Sequence, residues 1–276
     1  MPGFPILPYG IILGEPPGTN SIEGMKKDRL KKLASDERFI SGIYNYCDRW
    51  CERCPQTSRC LNFALSEEEF ADPECRDIKN EAFWKKLSEV FSGTLELLKE
   101  AANERGIDVE VLDADQFREE AKKKEEMAEG HEICRAAKTY SHLVEDWFSS
   151  AATLLPASPG SGGEETGLGE ALEVIRWYQH FIYVKLMRAV RGELDEREED
   201  ADGFPRDSEG SAKIALIGID RSIGAWGAIY AADLLHDEKI LRLIAYLDRL
   251  REDAEKTFPK ARSFIRPGFD KIDLNS

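Results

Sequence analysis

The chain has 276 residues, enough for one large domain or two small ones at roughly 100–200 residues each. Lys plus Arg number 38 against 53 Asp plus Glu, a net charge of −15, which argues against a nucleic-acid binder or an anionic-membrane binder because both want a basic face. Hydrophobic residues at 42% and charged residues at 33% supply a real core and argue against global disorder.

The N-terminus, Met1-Pro2-Gly3-Phe4-Pro5, lacks a basic start and is broken by prolines, so it does not read as a signal peptide. Residues 1–34 read as an irregular arm. Residues 35–54 open with Ser35-Asp36-Glu37, a cap with an acidic first turn. Phe39, Ile40, Ile43, Tyr44 and Cys47 follow at helical spacing, and Pro55 marks a stop. Residues 61–79 hold one or two acidic helical turns. From Asn80 to Arg105 an apolar stripe runs through Phe83, Trp84, Leu87, Val90, Phe91, Leu95, Leu98 and Ala101, with Gly106 as C-cap. Residues 107–112 alternate like a strand that has nothing to pair with.

Residues 114–129 predict a charged, solvated helix, and Gly130 breaks it from the next. Residues 131–155 carry the stripe Ile133, Ala137, Tyr140, Val144, Trp147 and Ala151. Residues 156–169, rich in Gly, Ser and Pro, predict a long loop. Residues 170–191 predict a central helix, apolar on most sides. Residues 192–210 read as a second long loop, acidic and holding Gly203, Pro205 and Gly210. Residues 211–235 predict a largely buried helix with Gly218, Ser222, Ala225 and Ala228 on a small-residue side. Asp220 and Arg221 interrupt it, which argues against a membrane span. A last helix over 238–256 rests on Ile240, Leu241, Ile244, Leu247 and Leu250, and 257–276 read as an irregular tail. The expectation is an all-α bundle of about six helices, one domain over 35–256, with a cysteine-rich segment at 46–61 packed on it.

Four of the six cysteines, Cys47, Cys51, Cys54 and Cys60, fall in one short run with spacing C-x3-C-x2-C-x5-C. With no export signal the expected compartment is the reducing cytoplasm, where such a cluster points to metal binding or catalysis. Thiolates are soft ligands suited to zinc, copper(I) or iron–sulfur clusters. A continuous helix would separate Cys47 from Cys54 by about 10 Å at 1.5 Å per residue. A single zinc, with Zn–S bonds of about 2.3 Å, cannot reach both. A larger cubane asks for less distortion, and cysteines crowded into one run with a proline after one of them (here Cys54-Pro55) suit it as well. The leading expectation is therefore a [4Fe–4S] cluster on these four residues and a redox role with a protein partner; the alternative is an interaction or scaffold protein with a structural zinc there. Arg49, Arg53 and Arg59 flank the run and would offset thiolate charge.

Cys47, Cys51 and Cys54 together resemble the C-x3-C-x2-C triad of radical-SAM enzymes, a family that sets it on a βα barrel, whereas this chain shows no βα alternation. Cys51, Cys54 and Cys60 resemble the C-x2-C-x5-C part of the auxiliary-cluster domains found on some of those enzymes. Arg135 and His142 are similar in spacing to the R-x6-H signature of the helical HEPN ribonucleases. Polar groups on the apolar helices, Glu145, Glu173, His180, Asp220 and Arg221, are the candidates for a bundle enzyme. The Glu-x-x-His pair of ferritin-like di-iron proteins does not occur in the chain. Neither do the phosphate-binding, serine-hydrolase or H-E-x-x-H motifs.

Overall fold

The computed structural model describes residues 29, 32, 33, 35–107, 114–151, 166–198, 207–232 and 238–270. Those residues form an all-α bundle with seven α-helices: α1 Leu61–Glu69, α2 Glu81–Glu104, α3 Ala114–Gly130, α4 Glu132–Ala151, α5 Thr166–Glu198, α6 Asp207–Ala231 and α7 Glu238–Thr257. No strand occurs among them, so the barrel implied by the radical-SAM resemblance is not the fold of this chain. The arm at 1–28, the alternating stretch from Asp108 and the loop at 156–165 lie outside the described residues. No helix among the described residues is long and apolar enough to cross a membrane.

The sequence alone groups 35–256 together, whereas the contacts divide the chain into two compact units. The smaller comprises Met1–Phe39 and Leu65–Val111. Its main element is α2, capped where the Asn80 side chain accepts from the Ala82 amide at 3.0 Å. The Phe83 ring meets Phe70 at 6.0 Å and Trp84 at 5.3 Å. Lys86 pairs with Glu69 at 2.6 Å. The helix is where its stripe predicts it, yet Phe91, Leu95 and Leu98 are each more than half exposed.

The larger unit, Ile40–Ala64 with Leu112–Ser276, holds the core. Its central pair is α5 against α6. They approach closely at Gly218, where an added Cβ would stand 3.0 Å from the Tyr178 ring and 3.2 Å from Ile182. On α4, all six apolar stripe residues from Ile133 to Ala151 are buried. Trp147 of α4 meets Trp226 of α6 edge to face at 4.7 Å, and Trp226 donates its indole N–H to the Tyr140 hydroxyl at 3.0 Å inside the core. On α7, Ile240, Leu243, Leu247 and Leu250 are buried, while Leu241 of the expected stripe faces solvent. Each fully buried Ile or Leu contributes about 1.5–3 kcal/mol.

Two expected loops are shorter than the composition suggests. Residues 166–169 already belong to α5. Of 192–210, residues 192–198 continue α5 and 207–210 open α6. The acidic run continues the helix, and α3 lies alongside this end of it. Lys124 pairs with Asp195 at 2.7 Å, and Glu125 pairs with Arg191 at 2.7 Å. Asp207 is tied into the start of α6 by Arg188, whose guanidinium reaches both carboxylate oxygens at 2.9–3.1 Å.

The expected helix over 35–54 is not formed. Three short 3-10 turns, Ile43–Tyr46, Cys51–Arg53 and Thr57–Arg59, stand in its place and beyond it. Gly42 has a φ of 72°, left-handed geometry that a helix cannot pass through, and Arg49 is also left-handed at 60°. The tail is irregular as expected, but it is not peripheral. Phe258 and Ala261 are buried, and the chain folds back over 258–270 against the cysteine segment.

Candidate functional site

Each 3-10 turn hands the chain to a cysteine in extended conformation: Cys47 after the first, Cys54 after the second and Cys60 after the third. Cys51 opens the second turn. This rhythm turns the four side chains inward on one cavity of about 20 Å³, whose lining also includes Ile43, Phe63 and Phe269. A water needs roughly 10–15 Å³ on the same measure. All four thiols are free and partly buried. Burial and the neighbouring Cys47, Cys54 and Cys60 push the Cys51 thiol above its ordinary pKa, an effect that places the four sulfurs within electrostatic reach of one another. Burial also raises Cys47, while the Arg49 backbone amide and the Arg49 and Lys185 charges pull it the other way. The Gln56 amide donates to the Cys54 sulfur at 3.4 Å. The Cys54 sulfur thus receives a backbone N–H from the residue two positions on, which favours its thiolate, whereas the Cys47 thiol donates to the Tyr44 carbonyl at 3.5 Å.

The segment is held by α5, by α6 and by the tail. The Tyr46 hydroxyl donates to Asp207 of α6 at 2.9 Å, and its ring meets Phe264 at 4.7 Å. On α5, Trp177 donates to the Asp48 carbonyl at 3.0 Å and stacks on Trp50 at 4.9 Å. The Asp48 carboxylate takes the Tyr178 hydroxyl at 2.6 Å and Arg221 Nη1 of α6 at 2.5 Å. Burial, then the bond to Asp48, holds the Tyr178 phenol well above its usual range. Buried Lys185 donates to the Asn45 carbonyl at 3.4 Å, and burial pushes its pKa down to about 8. From the tail, the Gly268 carbonyl accepts from Gln56 at 2.8 Å. Gly268 has a φ of 76°, and a Cβ there would strike Ile40 at 2.7 Å and Ile43 at 2.8 Å, so only glycine lets the tail approach.

The other expected residues do not share one pocket. Glu145 sits between His142 at 3.5 Å and His180 at 3.4 Å on an exposed face of α4 and α5. Glu173 pairs with Arg53 at 2.5 Å, and that guanidinium lies over Trp50 at 4.2 Å. Asp220, on the largely buried α6, is itself partly exposed and bound by Arg262 at 2.5 Å. Arg221, through Asp48, and Glu173, through Arg53, reach the cysteine segment. Among the described residues no three His, Cys, Asp or Glu side chains are spaced to hold a single metal ion. Cys134 is a core residue whose thiol burial raises to about 12, and Cys75 belongs to the smaller unit.

Beside the cysteine cavity lies a larger cleft of about 600 Å³. Cys47 and Cys54 line both, as do Asp48, Trp50 and Phe269. Sequence reasoning missed Tyr178, Trp177, Arg266 and Phe269 as parts of this region. No local pattern marks Trp177 and Tyr178, because their partner Asp48 lies more than a hundred residues away in the chain. No family model, curated protein or solved structure matches the chain.

Proposed function

We propose that Cys47, Cys51, Cys54 and Cys60 bind an iron–sulfur cluster of the [4Fe–4S] type and that the protein is a redox protein. The observation that carries the reading is the convergence of four partly buried thiols, delivered by three successive turns, on one cavity. The cavity itself has room for about one water, so a cubane would require its walls to move apart. The helical objection to zinc falls with the helix, but a single zinc would still require the sulfurs to draw together, since none of the described sets is spaced for one ion. In a cubane each thiolate bonds a different iron, so its thiolates stand farther apart. The amide at Cys54 and the rings of Trp50 and Phe269 would tune its potential through hydrogen bonding and solvent exclusion. Free thiols of this kind fit a reducing compartment, which favours the cytoplasm.

The test compares the full chain purified anaerobically as wild type, Cys54→Ser and Cys75→Ser. Wild type and Cys75→Ser are expected to carry about four irons and matching sulfide per chain. Cys54→Ser is expected to lose most of both. Unchanged iron in Cys54→Ser, or one zinc per chain without iron, would overturn the proposal.

A further inference from the structure

We infer that the cleft of about 600 Å³ beside the cysteine cavity binds a small organic carboxylate with an apolar body. This goes beyond the cluster reading and stands on the cleft alone. The volume lies within the roughly 300–1,000 Å³ typical of small-molecule sites. One wall is apolar and smooth, formed by Ala171 and Val174 of α5 and Gly224, Ala225 and Ala228 of α6. The charged side is dominated by arginines: Arg53, Arg221 and Arg266 against Asp48 and Glu170. Each guanidinium already has a carboxylate partner, Glu173, Asp48 and Asp270 respectively, so what the cleft offers a ligand is guanidinium geometry and not net charge.

The three guanidiniums are not equivalent. Arg266 is tied by Nε and Nη2 to Asp270 at 2.8–3.2 Å, which makes it part of the wall. Arg53 is drawn to Glu173 and Trp50. Arg221 is anchored through one nitrogen, Nη1, to Asp48 and the Tyr178 hydroxyl. Among the described residues its other N–H groups have no hydrogen-bond partner, and its side chain is half exposed. A guanidinium fixed by one nitrogen and open along the rest is pre-organised for a carboxylate, because little ordering remains to be done on binding. Because Cys47 and Cys54 stand on the shared wall, a ligand in the cleft lies directly beside whatever the cysteines hold.

The experiment is calorimetric titration of the anaerobically purified full chain with benzoate, with its neutral isostere benzamide and with inorganic phosphate. Benzoate is expected to bind, and benzamide and phosphate at least tenfold more weakly. A Cβ at Gly224 meets nothing within 4 Å, so Gly224→Phe starts unobstructed and carries its ring into the cleft from the α6 wall. It is expected to weaken benzoate at least tenfold with metal content and helicity unchanged. Ala228→Phe, exposed on the same wall, replaces it if the first variant does not fold. Absence of benzoate binding, equal binding of benzamide or phosphate, or undiminished binding by the filled variant would each overturn the inference. A chain without iron that still shows the benzoate pattern would sink the cluster reading and leave this one standing.

Discussion

The strongest mechanical claim is that α6 positions the cysteine segment, and Gly210→Ala tests it. A Cβ at Gly210 would lie 2.3 and 2.6 Å from two carbons of the Tyr46 ring and 2.7 Å from Phe264, where ordinary contact begins at 3.4 Å. Both rings must therefore give by about 1 Å, an overpacking that typically costs about 1–3 kcal/mol. Tyr46 is not free to swing away, since its hydroxyl is held by Asp207 and it directly precedes Cys47. Against this, alanine gains about 1 kcal/mol in helix propensity over glycine. Gly224→Ala in the same helix supplies the propensity gain without the clash, because nothing lies within 4 Å. The difference between the two variants isolates the packing term, at about 1–3 kcal/mol in favour of Gly224→Ala. Urea midpoints followed by circular dichroism measure it directly, with the slope checked for constancy. Gly210→Ala should also hold less metal. A Gly210→Ala protein as stable as Gly224→Ala would refute the claim that the Tyr46 turn is seated on α6.

Other expectations follow from single contacts. Tyr140→Phe removes the acceptor for the Trp226 indole N–H and leaves a buried donor unpaired, so it should destabilise by about 1–3 kcal/mol in the same urea assay. Asp270 is opposed by burial but held well below the usual carboxylate range by hydrogen bonds from the Arg266 side chain and backbone and from Lys213. The depressed value means that its stabilisation is complete above the unfolded value of about 3.9 and is lost as pH falls toward the folded one. Stability measured at neutral pH and again below pH 4 should therefore fall more in wild type than in Asp270→Asn. An identical acid loss in both would show that the tail is not anchored through this carboxylate.

Much of the bundle is legible from local pattern. The helices α2, α3, α4 and α7 begin and end within a few residues of where caps and apolar spacing put them, because those signals act over one or two turns. The cysteine segment is not legible in this way. Phe39, Ile40, Ile43 and Tyr44 mimic a helix, but Ile43 alone is buried, and Gly42 carries the backbone into the left-handed region. The run beyond Arg191 illustrates the opposite failure. Its acidity suggests a loop, yet it continues α5, with Asp195 paired to Lys124 of α3 across 71 positions of sequence. Phe91, Leu95 and Leu98 show that a stripe can specify a helix without being buried by it. The site was legible as four cysteines and their spacing. Its frame was not, because Trp177, Tyr178, Arg221 and Gly268 reach the segment across 129 to 212 positions of sequence.

The central claim is that the cysteine cavity holds an iron–sulfur cluster. Iron, zinc and acid-labile sulfide analysis of the anaerobically purified wild-type chain, with its visible spectrum, tests it most directly. The account predicts iron and sulfide in equal amounts and a broad absorption at about 400 nm that bleaches on reduction. A colourless protein with one zinc, or with no metal at all, would contradict it.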